Sequence, residues 1–105
     1  MREKTFHVYM IASRSRTLYI GVTSNLEQRI ARHRAGTFDG FTKEYSCTRL
    51  VWHQEFVTPQ AAIAREKQLK RWRRDKKIAL IQETNPHWTD LSEAWGKPIA
   101  LYQEA

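Results

Sequence analysis

His7-Val8-Tyr9-Met10-Ile11 and Leu18-Tyr19-Ile20-Gly21-Val22 decide how this chain folds. In the first run Phe6, Val8, Met10 and Ala12 share one face, and His7, Tyr9 and Ile11 share the other. That period of two belongs to an extended strand. In the second run Leu18, Ile20 and Val22 alternate with Thr17, Tyr19 and Gly21. Two such runs around the polar turn Ser13-Arg14-Ser15-Arg16 read as a β-hairpin. Keeping Val8 and Met10 on the same face as Leu18 and Ile20 predicts the pairs Val8–Ile20, Met10–Leu18 and Tyr9–Tyr19. The loop then has an odd number of residues, three or five. Both phenols fall side by side on the face opposite the aliphatic set. Gly21 joins them there, opposite His7; a glycine inside a strand often marks close approach of a backbone or a ligand.

Downstream, Ser24 and Glu27 form a capping-box pattern, so a helix starts near Asn25. It runs to about Ala35, with Gly36 as its stop. Leu26 and Ile30 face the core, Arg29 and His33 occupy a flank one turn apart, and Arg32 and Arg34 form the solvated side. Thr37 to Ser46 is a loop whose aromatics, Phe38, Phe41 and Tyr45, either pack down or meet a base. Leu50 to Val57 alternates again, with Leu50, Trp52 and Phe56 against Val51, His53, Glu55 and Val57, and reads as a third strand. Thr58 caps the next helix and Pro59 fills its first turn. That helix passes through Ala61, Ala62, Ile63 and Leu69 to about Trp72. Asp75 caps a last helix, Lys76 to Thr84, which Asn85-Pro86 stops. Trp88, Leu91 and Trp95 dock the tail. The order is β-β-α-β-α-α: one α+β domain over residues 1–95 and a C-terminal tail over 96–105.

The chain has 105 residues, 41% hydrophobic and 28% charged, with net charge +7 and pI ≈ 9.9. One modest core is within reach at this length. The positive balance favours a polyanionic partner, nucleic acid first and an anionic membrane second. Cys47 is the single cysteine, which excludes an intrachain disulfide and a cysteine zinc site and suits a reducing compartment. No apolar run has the length of a membrane span, and the N-terminus has no apolar h-region. A cytoplasmic location and no membrane partner are expected.

Several residues point to chemistry. Two sheet phenols beside a strand glycine either cover a helix or line a site. Arg29, in the first turns of the helix that leaves the second strand, serves a surface ion pair or presents its guanidinium fork to a phosphate. His33, one turn on, is placed to orient a water, protonate a leaving group or touch phosphate. Glu66 interrupts a helix stripe formed by Ala62, Ile63 and Leu69. A carboxylate there needs either a cation from Arg65, Lys67, Lys70 or Arg29, or a metal. One carboxylate, completed by waters and phosphate oxygens, suits Mg²⁺. Lys70-Arg71-Trp72-Arg73-Arg74-Asp75-Lys76-Lys77 carries six basic residues around a tryptophan. It is either solvated helix surface or a nucleic-acid-binding patch of Lys70, Arg71, Arg73, Arg74, Lys76 and Lys77. His7, His53 and His87 read as structural or surface groups.

Taken together these residues resemble the GIY-YIG nuclease superfamily, in particular its small stand-alone bacterial members. The first half-motif appears as Val8-Tyr9-Met10 in place of Gly-Ile-Tyr, and the second is intact as Tyr19-Ile20-Gly21. Arg29 matches the family arginine of the first helix, His33 the Tyr/His position one turn later, and Glu66 the metal-binding glutamate. Asn85 resembles a late polar position, and the likeness spans about Phe6 to Leu91. Two departures are the missing first glycine and Val22, where several members carry lysine. The resemblance implies a three-stranded antiparallel sheet flanked by helices. It further implies a Mg²⁺-dependent (or Mn²⁺-dependent) DNA endonuclease, structure-selective or weakly sequence-selective, in DNA repair or recombination, with no small-molecule cofactor. DNA is expected over RNA. Catalysis would use Tyr9, Tyr19, Arg29, His33 and Glu66, with Tyr19 or Tyr9, as phenol or phenolate, helping to activate water. The other reading is a catalytically weak nucleic-acid-binding module that keeps the fold.

Overall fold

A computed structural model of the chain describes residues 4–35 and 48–95. The elements are β1 (Phe6–Ala12), β2 (Leu18–Thr23), α1 (Leu26–Ala35), β3 (Arg49–Phe56), α2 (Pro59–Arg71) and α3 (Arg74–Thr84). The three strands form an antiparallel sheet in the order β2-β1-β3. This is the α+β architecture that the alternation of the runs predicts. The helix stop at Gly36, the Thr37–Ser46 loop with its aromatics, Cys47 and the 96–105 tail lie outside the described residues.

The sheet is covered on both faces. Val8, Met10, Ala12, Ile20, Val51 and Trp52 pack with Ala62 and Leu69 of α2, Ile81 of α3 and Trp88. On the other face Tyr9, Ile11 and Leu50 pack with Leu26 and Ile30 of α1, beside Tyr19 and Trp95. Burying both faces explains why β1 reads almost entirely as buried residues despite its polar-apolar alternation.

The hairpin register differs from the expected one by two residues. Val8 pairs with Val22, Met10 with Ile20, Tyr9 with Gly21 and Ile11 with Tyr19. The faces survive, because a slip of two keeps every side chain on its side. The loop is the longer of the two expected lengths, the five residues Ser13 to Thr17. Its ends are tied by Ser13 N–H to the Thr17 carbonyl at 3.0 Å, and the Ser13 hydroxyl accepts from Thr17 N–H at 3.0 Å. Gly21 therefore lies opposite Tyr9, not opposite His7. A Cβ at residue 21 would stand 2.6 Å from Cζ of Tyr9 and against its hydroxyl. Only a glycine lets that ring lie flat across β2, and this close approach selects the register.

β3 carries an irregularity: Met10 faces Trp52 while Ile11 faces Leu50. The extra residue throws Leu50 onto the α1 face and leaves Trp52 and Val51 on the other, so the expected grouping of Leu50 with Trp52 and Phe56 fails at the bulge. The tail takes over the pairing that β3 loses there. Leu50 N–H donates to Asp90 Oδ1 at 3.1 Å, and Leu91 N–H donates to the Leu50 carbonyl at 2.8 Å. Asp90 also accepts from Arg34 Nη2 at 2.7 Å and from the Ser92 hydroxyl at 2.7 Å. Burial pushes the Asp90 carboxyl up, but the bonds from Ser92, Leu50 and Arg34 outweigh it and hold it below the usual range. Arg34 is thus a tether between α1 and the tail instead of a purely solvated residue. Of the expected tail anchors, Trp88 is buried, Trp95 is half-buried, and the Leu91 side chain is exposed.

Helix ends follow the chemistry with small shifts. Asn25, and not Ser24, caps α1: its Oδ1 accepts from Gln28 N–H at 3.1 Å. Thr58 caps α2 as expected, accepting from Ala61 N–H at 3.2 Å, with Pro59 in the first turn. α3 begins at Arg74 with Arg73 in the cap position. Asp75 therefore lies inside the first turn, where it favours the helix dipole without capping. Asn85 closes α3, its N–H donating to the Ile81 carbonyl at 2.8 Å. Its buried side chain donates to the carbonyls of Val51 and Thr89 and accepts from Thr89. The late polar position is thus a clamp between α3, β3 and the tail.

Candidate active site

The site grows from the face of the sheet under α1. β1 supplies Tyr9, β2 supplies Tyr19 and Gly21, and α1 crosses them with Arg29 and His33. The two phenol rings are diagonal neighbours, centroids 6.4 Å apart, and His33 stands 5.9 Å from Tyr9 and 5.4 Å from Tyr19. The Tyr9 hydroxyl lies 3.1 Å from His33 Nε2 and hydrogen-bonds Arg29. A guanidinium only donates, so the phenol oxygen accepts from Arg29 while it pairs with His33 Nε2. Four of the five expected catalytic residues are therefore gathered around one buried hydroxyl.

The environments of the phenols differ. Tyr9 is fully buried, whereas Tyr19 is half-buried and reaches a groove at the sheet edge. Burial first, and then Tyr19, push the Tyr9 hydroxyl up to about 12, although Arg29 pulls the other way. Tyr9 is therefore a neutral phenol at neutral pH. His33 is pushed down to about 4, by burial first and by the neighbouring Arg29 second. It is a neutral imidazole that fixes the Tyr9 hydroxyl rather than a charged proton donor.

Glu66 approaches from α2. Its side chain is 17% exposed and its Oε2 lies 3.1 Å from Lys70 Nζ, one turn further on. Lys70 is among the cations that the sequence offered. Ala62 and Leu69 are buried as expected, but Ile63 is exposed, so the stripe interrupted by Glu66 is narrower than the spacing suggested. Among the described residues no group of three or more His, Cys, Asp or Glu side chains is placed to hold a metal. A single half-buried carboxylate fits Mg²⁺ or Mn²⁺ only when waters and a substrate phosphate complete the shell. The donor set is consistent with that and with no all-protein cage.

A groove of ≈ 280 Å³, lined by Leu18, Tyr19, Ile20, Lys70 and Lys77, leads into this region. A larger cavity, ≈ 590 Å³, lies elsewhere, around the start of α1 with His7 and His53 in its wall. The basic run is spread over several surfaces of α2 and α3. Lys70 and Lys77 face the groove, Arg74 Nη2 donates to the Arg16 carbonyl at 2.7 Å, and Arg71 and Arg73 are exposed. Trp72 is half-buried against the core, with Arg65 5.2 Å and Lys76 4.2 Å from its ring centroid. Cations lie over that ring, so it is not an open platform for a base. Arg16 joins Arg74 and Lys77 through the fold of the hairpin turn. The two arginines of Ser13-Arg14-Ser15-Arg16 were the only signal for it in the sequence. Val22 pairs with Val8 and packs against the α2-side core.

Residues 5–79 match the GIY-YIG catalytic domain, and the chain belongs to that family. This membership supports a nuclease-type function. The chain is similar to a UPF0213 protein of Staphylococcus haemolyticus, 35% identical over 77 residues, which cover 73% of this chain and 94% of that protein. A UPF0213 protein of Haloquadratum walsbyi is 34% identical over 77 residues, covering 73% of this chain and 86% of the relative. Among solved structures, the solution NMR structure of a UPF0213 protein from Bacillus halodurans superposes with TM-score 0.55 at 22% identity. It covers 90% of this chain and 99% of that one, and it bears out the fold. Among the described residues no helix is long and apolar enough to cross a membrane.

Proposed function

We propose that this chain is a Mg²⁺- or Mn²⁺-dependent endonuclease that hydrolyses DNA phosphodiester bonds. The observation that carries the reading is the Arg29–Tyr9–His33 network over Gly21, set behind a groove that presents Tyr19, Lys70 and Lys77. Water attacks phosphorus, the new P–O bond forms, the ester P–O bond breaks, and the leaving oxygen takes a proton. Tyr19, the phenol that reaches the groove, orients the attacking water. Arg29 places positive charge where the phosphorane accumulates negative charge, an arrangement typically worth several kcal/mol of barrier. Tyr9 and His33 hold that guanidinium in register from below. Glu66 is the residue that would hold the metal, after parting from Lys70. A bound divalent ion supplies Lewis-acid charge on the scissile phosphate.

Structure-selective cleavage in repair or recombination is the biological setting we favour for such a groove. The rival reading, a catalytically weak nucleic-acid-binding module, draws on Val22, which buries an apolar side chain where several members of the family have lysine. One experiment separates them. Labelled branched, flapped, single-stranded and duplex DNA, with RNA counterparts, is incubated with and without Mg²⁺, using wild type and Glu66→Gln. The nuclease reading expects Mg²⁺-dependent products from wild type, none from the variant, and nearly unchanged metal-free affinity. Absence of cleavage on every substrate, with intact binding, leaves the binding module.

A further inference from the structure

We propose that one strand of the nucleic acid leaves the site in a single direction, along the edge strand β2 to the hairpin turn. Its phosphates are held on the way by Lys77, Arg74 and Arg16. This rests on the nucleic-acid reading above and names how that substrate is held.

Two hollows carry the argument. The groove at Tyr19 ends at Leu18 and Lys77, and a second hollow of ≈ 350 Å³ begins at the same two residues. Its far wall is Arg16 and Arg74. The two form one continuous trough beside an exposed sheet edge. The far end is built and not accidental. Arg16 adopts a left-handed backbone, φ 67°, which disfavours a non-glycine residue. Its carbonyl is held by Arg74 Nη2 at 2.7 Å, and its guanidinium sits 4.6 Å from the ring centroid of buried Trp88. The turn is thereby locked to the first turn of α3.

The charge along the trough is of one sign. Lys70, Lys77, Arg74 and Arg16 line it; of the nearby acids, Glu66 is paired with Lys70, and Asp75 follows Arg74 in the first turn of α3. The opposite end of the α1 face is balanced. There Lys4, His7 and His53 share a cavity with Glu27, and Glu55 acts on His53. Of these two hollows, the trough therefore carries the stronger pull on a polyanion. Tyr19 and Arg16 are three residues apart, at most on the order of 10 Å along an extended chain. That span matches about three nucleotides of one B-form strand.

The test is a salt series of DNA affinity by fluorescence anisotropy, on a short labelled duplex and single strand without divalent metal. Lys77→Gln and Arg16→Gly should each flatten the slope of log affinity against log salt by about one unit. Glycine tolerates the left-handed backbone, so the second variant removes the cation and keeps the turn. Lys77→Arg should restore the slope. Lys67→Gln and Lys4→Gln, both outside the trough, should leave it unchanged, and thermal melts check that each variant folds. Equal slopes in all variants, or equal losses in the two outside controls, overturn the one-sided path. If wild type cleaves DNA while the slopes do not respond, this proposal fails and the nuclease reading stands. If the slopes respond but nothing is ever cleaved, the nuclease reading fails and the path stands. No binding to DNA overturns both.

Discussion

Acid should destabilise this fold through His33. The imidazole is 5% exposed, packed between two phenols and next to a guanidinium. Its folded-state value lies near 4 against 6.5 for an ordinary histidine, so the unfolded chain binds the proton more readily than the folded one. The sign follows. The contribution is complete above pH 6.5, is lost as pH falls from 6.5 towards 4, and changes no further below. The interval corresponds to about 3 kcal/mol as an upper limit, because a small opening at the end of α1 would let water reach the ring. Against a typical domain stability of about 5–15 kcal/mol this is a large share. The assay is urea unfolding followed by tryptophan fluorescence, from about pH 7 down to about pH 4.5. His33→Gln supplies the reference, since the amide can still meet the Tyr9 hydroxyl and does not titrate. His53 is also held below its usual value, by burial and by His7, but it is exposed and should add little; His53→Gln measures that share. A wild-type stability that stays level across this range, or a fall equally steep in His33→Gln, would refute the burial of a neutral imidazole.

Gly21→Ala should cost about 1–3 kcal/mol, as overpacking does, because the new Cβ meets the buried Tyr9 ring; pairing it with Tyr9→Leu should recover part of the loss in a urea double-mutant cycle. Asn85→Ala strands the Val51 carbonyl and the Thr89 groups, so its denaturation midpoint should fall by the equivalent of about 1–3 kcal/mol while cleavage by the folded fraction is retained. Arg29→Ala should abolish turnover with little change in melting temperature. A stability loss as large as that of a core truncation would mean that the guanidinium is structural.

Much of the site could be read before the fold was seen, for reasons of periodicity. An alternating strand announces which residues share a face, so Tyr9 and Tyr19 were bound to lie together. A helix places residues four apart on one flank, so Arg29 and His33 had to rise side by side. Thr58, Pro59 and Asn85 mark helix ends by local hydrogen bonding that needs no partner from elsewhere. Family membership follows from the same local pattern.

What the tertiary structure decided is whatever that period leaves degenerate. A strand pattern looks the same after a slip of two, so the pairing of Tyr9 with Gly21 came from the room that a missing Cβ provides. An extra residue in β3 reverses the phase of Leu50, and no alternation rule counts across a bulge. The protonation of Tyr9 and His33 depends on burial under α1, which is a property of packing and not of spacing. The basic run became a trough only when the break between α2 and α3 turned Lys77 and Arg74 toward the hairpin turn. Charge is written in the sequence; the direction in which it points is set by how the helices pack.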